Sequence, residues 1–304
     1  MKIGFVSAIL DGWSFEEVID IAHTNGYDCV EVACWPQGSG ERRYAGVSHI
    51  DAATLDDARA DDIKACCREQ GVAISALGYY SNPLTVDAVA RQNIIAHLLK
   101  VIDASAVLDV NLVTTFIGRD QHLTVEDNLA RVAEIWPPVI AHAEAAGVRI
   151  AIENCPMLFG ADQWPGGQNI FTTPVLWERI FDLLGSQNLG LNYDPSHFIW
   201  QMMDPIAPVH DFRDRLFHVH IKDIHLDRRR LDKVGIMAYP LDFMTPKLPG
   251  HGDIDWGAFM AALDDIGYDG PACIEVEDRA YETSRRRIID SLVLSKRYID
   301  QFVI

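Results

Sequence analysis

Along this chain, short apolar runs alternate with longer stretches in which apolar positions return every three to four residues. The short runs read as buried parallel strands, because they are β-branched and apolar on both faces. Eight of them fall at about Ile3–Ala8, Cys29–Ala33, Ala73–Leu77, Val110–Thr115, Ile150–Asn154, Leu189–Tyr193, Phe217–Lys222 and Ala272–Val276. Between them the longer period predicts helices with legible ends. Ser14 with Glu17 forms a capping box, and Gly26 closes that helix. A second helix, about Leu55–Gln70, stops at Gly71, and a third spans roughly Asp87–Ser105. Thr124 with Asp127 opens a fourth that reaches Ala146, and Pro137-Pro138 should kink or split it. Thr173-Pro174 is an N-cap and N1 pair, and a short helix occupies about Ile206–Arg215. Asp255 caps a helix to Ile266, and the last helix runs from about Glu282 to Gln301. Asp223–Ile254 has no clear period and predicts a long loop of the size used for lids.

Eight evenly spaced strand–helix units without a linker predict an α/β protein. The economical form is a single (β/α)8 TIM barrel over residues 1–304, with a long loop at about 223–254 after the seventh strand. An open doubly wound sheet needs a Gly-x-Gly-x-x-Gly turn after the first strand. Ser7-Ala8-Ile9-Leu10-Asp11-Gly12 is not one.

Composition narrows the partners. The 44 acidic and 26 basic residues give a net charge of −18, a field that repels phosphate backbones and anionic membranes. Neither nucleic acid nor membrane is expected as a partner; a small phosphorylated substrate held by a few local cations stays open. No apolar run is long enough to span a bilayer, and the N-terminal residues carry no signal-peptide pattern, so a cytoplasmic protein is expected. The six cysteines form no Cys-x-x-Cys pair and read as reduced thiols. Cys155, so close after Glu153, could still touch a site.

The chemistry concentrates at strand ends. Glu153 ends the fifth strand, Asp194 follows the sixth, His218 and His220 lie in the seventh, and Glu275 ends the eighth. A buried carboxylate is costly unless paired, protonated or metal-bound. In the seventh strand His218, His220 and Lys222 share a face; in the eighth Glu275 shares one with Cys273 and Glu277. If these faces point inward, Glu153, Asp194, one strand-seven histidine and Glu275 converge, with His220 favoured because it lies nearer the C-terminal end. Three carboxylates and one imidazole suit Mn²⁺ or Mg²⁺, with Co²⁺ and Zn²⁺ as further options.

The ordered motifs Ile-Glu-Asn, Asn-Tyr-Asp-Pro-Ser-His, His-Val-His-Ile-Lys-Asp, Pro-Gly-His-Gly-Asp-Ile-Asp-Trp and Ile-Glu-Val-Glu run from residue 152 to residue 277. Together they resemble the xylose isomerase-like barrel superfamily, and most closely its sugar phosphate isomerase/epimerase group. The resemblance implies that Glu153, Asp194, His220 and Glu275 hold one divalent metal. It also implies that Glu153 and Glu275 act as the acid/base pair. His197 resembles the residue that touches a substrate oxygen. Lys222 could meet an oxyanion or phosphate, and His251 could fold over the mouth. Trp35, Trp164 and Phe159 could stack on a sugar face. His97, His142 and the Arg228–Arg230 run read as structural or solvated. Two positions depart from the free-ketose 3-epimerases of that superfamily: Phe159 stands where they carry a second Glu, and Leu226 where they carry an Arg. Both of those groups grip substrate oxygens.

The expected activity is that of a metal-dependent sugar isomerase or epimerase, with a small carbohydrate substrate and a possible homo-oligomer. The alternative is a lyase, hydratase or glycoside-cleaving enzyme acting on 3-keto sugars, which shares the first proton abstraction. An apurinic endonuclease is disfavoured by the charge, and a non-catalytic sugar binder by the two opposed glutamates.

Overall fold

Parallel strands β1 (Lys2–Val6), β2 (Cys29–Ala33), β3 (Ala73–Tyr79), β4 (Leu112–Thr115), β5 (Arg149–Glu153), β6 (Leu189–Tyr193) and β7 (Leu216–Ile221) pair in chain order. A two-stranded antiparallel ribbon follows, β8 (Asp223–Leu226) with β9 (Met244–Lys247). The last strand, β10 (Pro271–Ile274), pairs with both β7 and β1 and closes the eight-stranded barrel. The computed structural model describes residues 1–38, 44–158 and 164–303.

Parity decides which side chains meet inside. Val219 and Ile221 of β7 are fully buried in the main core, whereas His218 and His220, which alternate with them, turn inward and contact side chains of β2 and β6. The same alternation sends Ile150 and Ile152 of β5 into that core and Glu153 to the barrel's C-terminal mouth. One residue of slip would exchange the two sets.

The helices follow the predicted signals closely. Helix α1 (Phe15–Thr24) starts on the Ser14/Glu17 capping box, and α2 (Asp57–Gln70) ends on left-handed Gly71. Helix α3 spans Ala88–Val107. Helix α4 (Val125–Ala145) runs through Pro137 and Pro138 as one element, so the expected split does not occur. Each proline withholds one backbone donor, but fully buried Trp136 anchors the segment, its indole N–H donating to the Ile117 carbonyl at 2.9 Å. Helix α5 (Pro174–Leu184) starts at Pro174, but the Thr173 side chain makes no capping bond.

Two regions depart from the sequence reading. A short helix, α6 (Ser196–Trp200), directly follows Asp194, and α7 (Ala207–Asp211) is shorter than expected. The 223–254 stretch is not a structureless loop: it contains β8, β9 and α8 (Arg228–Val234). Four-residue strands are too short to show a period. The Asp223 carboxylate fixes the turn beyond them, accepting hydrogen bonds from the N–H groups of Gly250, Gly252 and Ile254 at 2.9, 3.2 and 3.2 Å and from the Trp256 indole at 2.9 Å. Helices α9 (Trp256–Asp265) and α10 (Arg285–Ile299) complete the chain. Among the described residues, no helix is long and apolar enough to cross a membrane.

Candidate functional site

At the C-terminal mouth, one donor atom from each of Glu153, Asp194, His220 and Glu275 lies within 4.8 Å of the others. Barrel geometry does this: the residues sit at or just beyond the ends of β5, β6, β7 and β10, three of which are consecutive neighbours while β10 flanks β7. His220 Nδ1 faces the carboxylates, 3.7 Å from Glu153 Oε1 and 3.5 Å from Glu275 Oε2. Its other nitrogen, Nε2, stands 2.8 Å from Glu31 Oε2, a spacing for donation to that carboxylate. Glu31, wholly buried on β2, also accepts from Tyr80 Oη at 2.5 Å and Thr114 Oγ1 at 3.0 Å. A Cβ on Gly78 would sit 2.7 Å from Glu31 Oε1, so glycine there leaves the carboxylate its place.

The charges in this space are strongly coupled. Lys222 Nζ lies 2.8 Å from Glu275 Oε2, 3.0 Å from Asp194 Oδ2 and 3.2 Å from Glu277 Oε2. Burial opposes the ammonium, but the carboxylates of Asp194, Glu275 and Glu277 hold it charged well above the ordinary lysine range. Burial likewise opposes ionised Asp194, and Lys222 and His197 together keep it below the usual carboxylate value. For Glu153, burial is outweighed by His197, His220 and Lys222, which lower it. His220 is raised against burial, chiefly by Glu31. His218, by contrast, is pushed down to about 4, with burial the largest cause.

These residues fit a divalent cation. The carboxylates of Glu31, Glu153, Asp194, Glu275 and Glu277 outnumber the positive groups that face them, Lys222, His197 and His220. Asp194 Oδ2, Glu275 Oε2 and His220 Nδ1 are buried and have no hydrogen-bond partner among the described residues. Lys222 stands at ion-pair distance from the two oxygens, but not along a hydrogen-bonding direction. Converging, unsatisfied oxygen and nitrogen donors with excess negative charge are what a hard divalent ion requires. His220 then has the carboxylate partner on its far nitrogen that metal-binding histidines usually have.

Above the cluster lies a cavity of about 690 Å³, counting its open mouth. Val6, Ala8, Ala33, Trp35, Tyr80 and Phe116 from the first four units wall one side; Glu153, Cys155, Lys222, Glu275 and Glu277 form the other. Trp35 thus lines the cavity and packs edge-on against Tyr79, with ring centroids 5.1 Å apart. His197 is buried below, its Nε2 3.1 Å from Asp194 Oδ2 and 3.6 Å from Glu153 Oε1.

Other sequence candidates fall elsewhere. His251 is exposed, packs near Tyr281 at 6.4 Å and does not line the cavity; its neighbour Gly250 is tied to Asp223. Trp164 donates to the Met237 carbonyl and faces Trp200, away from the cavity lining. Phe159 lies outside the described residues. His97 bonds the Cys34 carbonyl, His142 pairs with Asp103, and Arg228–Arg230 are exposed on α8. Leu226 is buried in the ribbon with Ile224 and Phe243. Sequence reasoning passed over Glu31, Tyr80 and Asn192, which donates to Tyr80 Oη at 2.9 Å. The strand-parity test that selected Glu153 would have selected Glu31 on Cys29-Val30-Glu31. Tyr80, just past β3, carries no such signal.

Residues 19–296 match the family model of the xylose isomerase-like TIM barrel. The chain belongs to that family. It is 23% identical to the uncharacterized protein YfiH of Bacillus subtilis over 91% of this chain and 93% of the other. It is 29% identical to the inosose dehydratase of Geobacillus kaustophilus, but over only 41% of each chain, less than half of that enzyme's length. Solved barrels of similar shape include the IOLI protein with a bound zinc atom (TM-score 0.73, 19% identity, 99% of both chains). Another is the D-psicose 3-epimerase of Clostridium cellulolyticum H10 with D-tagatose (TM-score 0.70, 18% identity, 100% of this chain and 99% of the other). At such identities the likeness establishes the shared fold.

Proposed function

We propose that this protein is a divalent-metal-dependent enzyme that moves a proton on a carbon beside the carbonyl of a small polyhydroxy ketone, as a sugar isomerase or epimerase does. The observation that carries the reading is the convergence of four donors, three buried and Glu275 partly so, two of them glutamates at the ends of different strands. Glu153, Asp194, His220 and Glu275 would hold the ion, with Mn²⁺ or Mg²⁺ preferred and Co²⁺ or Zn²⁺ acceptable. When bound, it supplies Lewis-acid charge to substrate oxygens.

The chain's own groups do the rest. Glu153 is held ionised, so it is a base at neutral pH. It takes the proton from carbon and later gives it to solvent, and Glu275, across His220, returns to the other side a proton that it has taken from solvent. Return to the opposite face of the same carbon is epimerisation; return to the neighbouring carbon is isomerisation. Lys222 steadies Glu275 at 2.8 Å and brings positive charge toward the developing oxyanion. Trp35, Phe116 and the apolar wall exclude water from that side.

A second reading, elimination of a neighbouring hydroxyl after the same abstraction, has its own support. The similarity to inosose dehydratases favours it, and so does Leu226, which leaves the 3-epimerase arginine without a counterpart. One experiment separates them. Metal-loaded protein is incubated in D₂O with linear and cyclic polyhydroxy ketones, then analysed by mass spectrometry and NMR. A deuterated product of otherwise equal mass supports isomerisation, and a product lighter by water supports elimination. Deuterium uptake that survives complete chelation refutes both.

A further inference from the structure

We propose that Glu153, Cys155 and His197 form a second cation site beside the first, one that takes a thiophilic divalent ion such as Zn²⁺ or Cd²⁺. A sulfur of Cys155, an oxygen of Glu153 and a nitrogen of His197 lie within 4.8 Å of one another. A four-coordinate zinc holds N and O at about 2.0–2.1 Å and S at about 2.3 Å, which places neighbouring donors roughly 3.3–3.6 Å apart. His197 Nε2 and Glu153 Oε1 already stand at 3.6 Å. The thiol, within 4.8 Å of both, needs to approach by at most on the order of 1 Å.

Two features point to a ligand. His197 is 7% exposed, and its Nε2 has no hydrogen-bond partner among the described residues although it is aimed at the carboxylates. That nitrogen stands 3.1 Å from Asp194 Oδ2 without an aligned hydrogen bond, and coordination would satisfy it. Cys155, for its part, is half-buried and lines the cavity, so an ion can reach it from the mouth. The Met157 N–H donates to its sulfur at 3.4 Å and orients it.

The donor chemistry separates the two positions. The first centre offers three carboxylates and one imidazole, a hard set. The second offers thiol, imidazole and a single carboxylate, a softer set that selects zinc or cadmium over manganese or magnesium. Glu153 Oε1 faces both His197 and His220, at 3.6 and 3.7 Å, so this carboxylate lies between the two centres and can bridge them, as carboxylates do in two-metal sites. Binding forms metal–sulfur and metal–nitrogen bonds while the Cys155 thiol proton and the proton that Asp194 helps hold on His197 both leave to solvent. An ion so placed engages His197 and crowds the cavity floor, so thiophilic metals act as inhibitors of the activity proposed above.

The site rests on that reading only through shared Glu153, and the test keeps the two apart. Protein is loaded with Mn²⁺, titrated with Co²⁺ and with Cd²⁺, and followed by metal analysis and by the ultraviolet thiolate-to-metal charge-transfer band. The expected result is one retained Mn²⁺, one further ion per chain, and a band that disappears in C155S and in C155A but persists in the C66S/C67S double variant. Circular dichroism checks that each variant is folded. No band in the wild type, or a band that survives in folded C155S, overturns the proposal. A Cys155-dependent band in protein that binds no Mn²⁺ supports this site and sinks the first centre instead.

Discussion

Replacing Lys222 with methionine asks whether the buried carboxylates are balanced by an ammonium alone or by an ion as well. Lys222 pairs with three carboxylates at 2.8–3.2 Å. At an effective dielectric near 20, one such pair is worth roughly 5 kcal/mol of gross attraction, most of it cancelled by desolvation. Removing one partner of a buried pair typically costs about 3–5 kcal/mol, because the remaining charge stays behind. For a chain of this size the unfolding entropy is on the order of 0.6 kcal/mol/K, so chelated K222M should melt about 5–8 °C below chelated wild type. Mn²⁺ at about 100 times its Kd stabilises the native state by about 2.7 kcal/mol, or roughly 4 °C. In K222M, where Asp194 and Glu275 have lost their cation, that increment should be larger. The assay is calorimetry of both proteins in chelator and in excess Mn²⁺. A wild type whose melting point ignores Mn²⁺, Mg²⁺, Co²⁺ and Zn²⁺ would show Lys222 to be the whole counter-charge and would refute the metal centre. Equal increments in both proteins would refute the electrostatic link between Lys222 and the ion.

Other outcomes follow from neighbouring residues. E31Q should weaken metal binding about 10- to 100-fold in isothermal titration, because Glu31 orients His220 through Nε2. E275Q should slow deuterium exchange at the substrate carbon by about 10²- to 10⁴-fold, and an unchanged exchange rate would remove Glu275 from the chemistry. Stability should fall on acidification in two steps, read from urea midpoints. His218, driven down to about 4 from 6.5 by burial, is protonated first in the unfolded chain, so stability is lost as pH falls from about 6.5 to about 4. Glu31, held at about 2 against burial by His220, contributes stability that is present above 4.5 and lost as pH falls toward 2. D223A should destabilise the fold by about 3 kcal/mol or more, since it orphans several buried donors at once.

The barrel was legible because its strands are buried on both faces and its helices have orthodox ends, as at Ser14/Glu17 and Gly71. The grouping of Glu153, Asp194, His220 and Glu275 was legible because parity and strand-end position together constrain where a side chain points. What stayed hidden was non-local or too short. Residues 223–226 and 244–247 make a ribbon through long-range pairing that no local period announces. Tyr80 and Asn192 matter through partners over a hundred positions away. His251 carried the right residue type in a Gly-rich turn, but that turn is tied to Asp223 and His251 does not line the cavity. Pro137-Pro138 does not split its helix, because tertiary packing around Trp136 outweighs a local penalty.

All four converging donors come from the second half of the chain, while the first half supplies Glu31 and the apolar wall. On the proposed reading, reactivity and recognition are therefore encoded in largely separable stretches of sequence. Grafting or randomising positions such as Ala8, Trp35 and Phe116 can redirect which molecule is accepted while leaving the ion's cage untouched, so new specificities on this scaffold are reachable by editing one half alone.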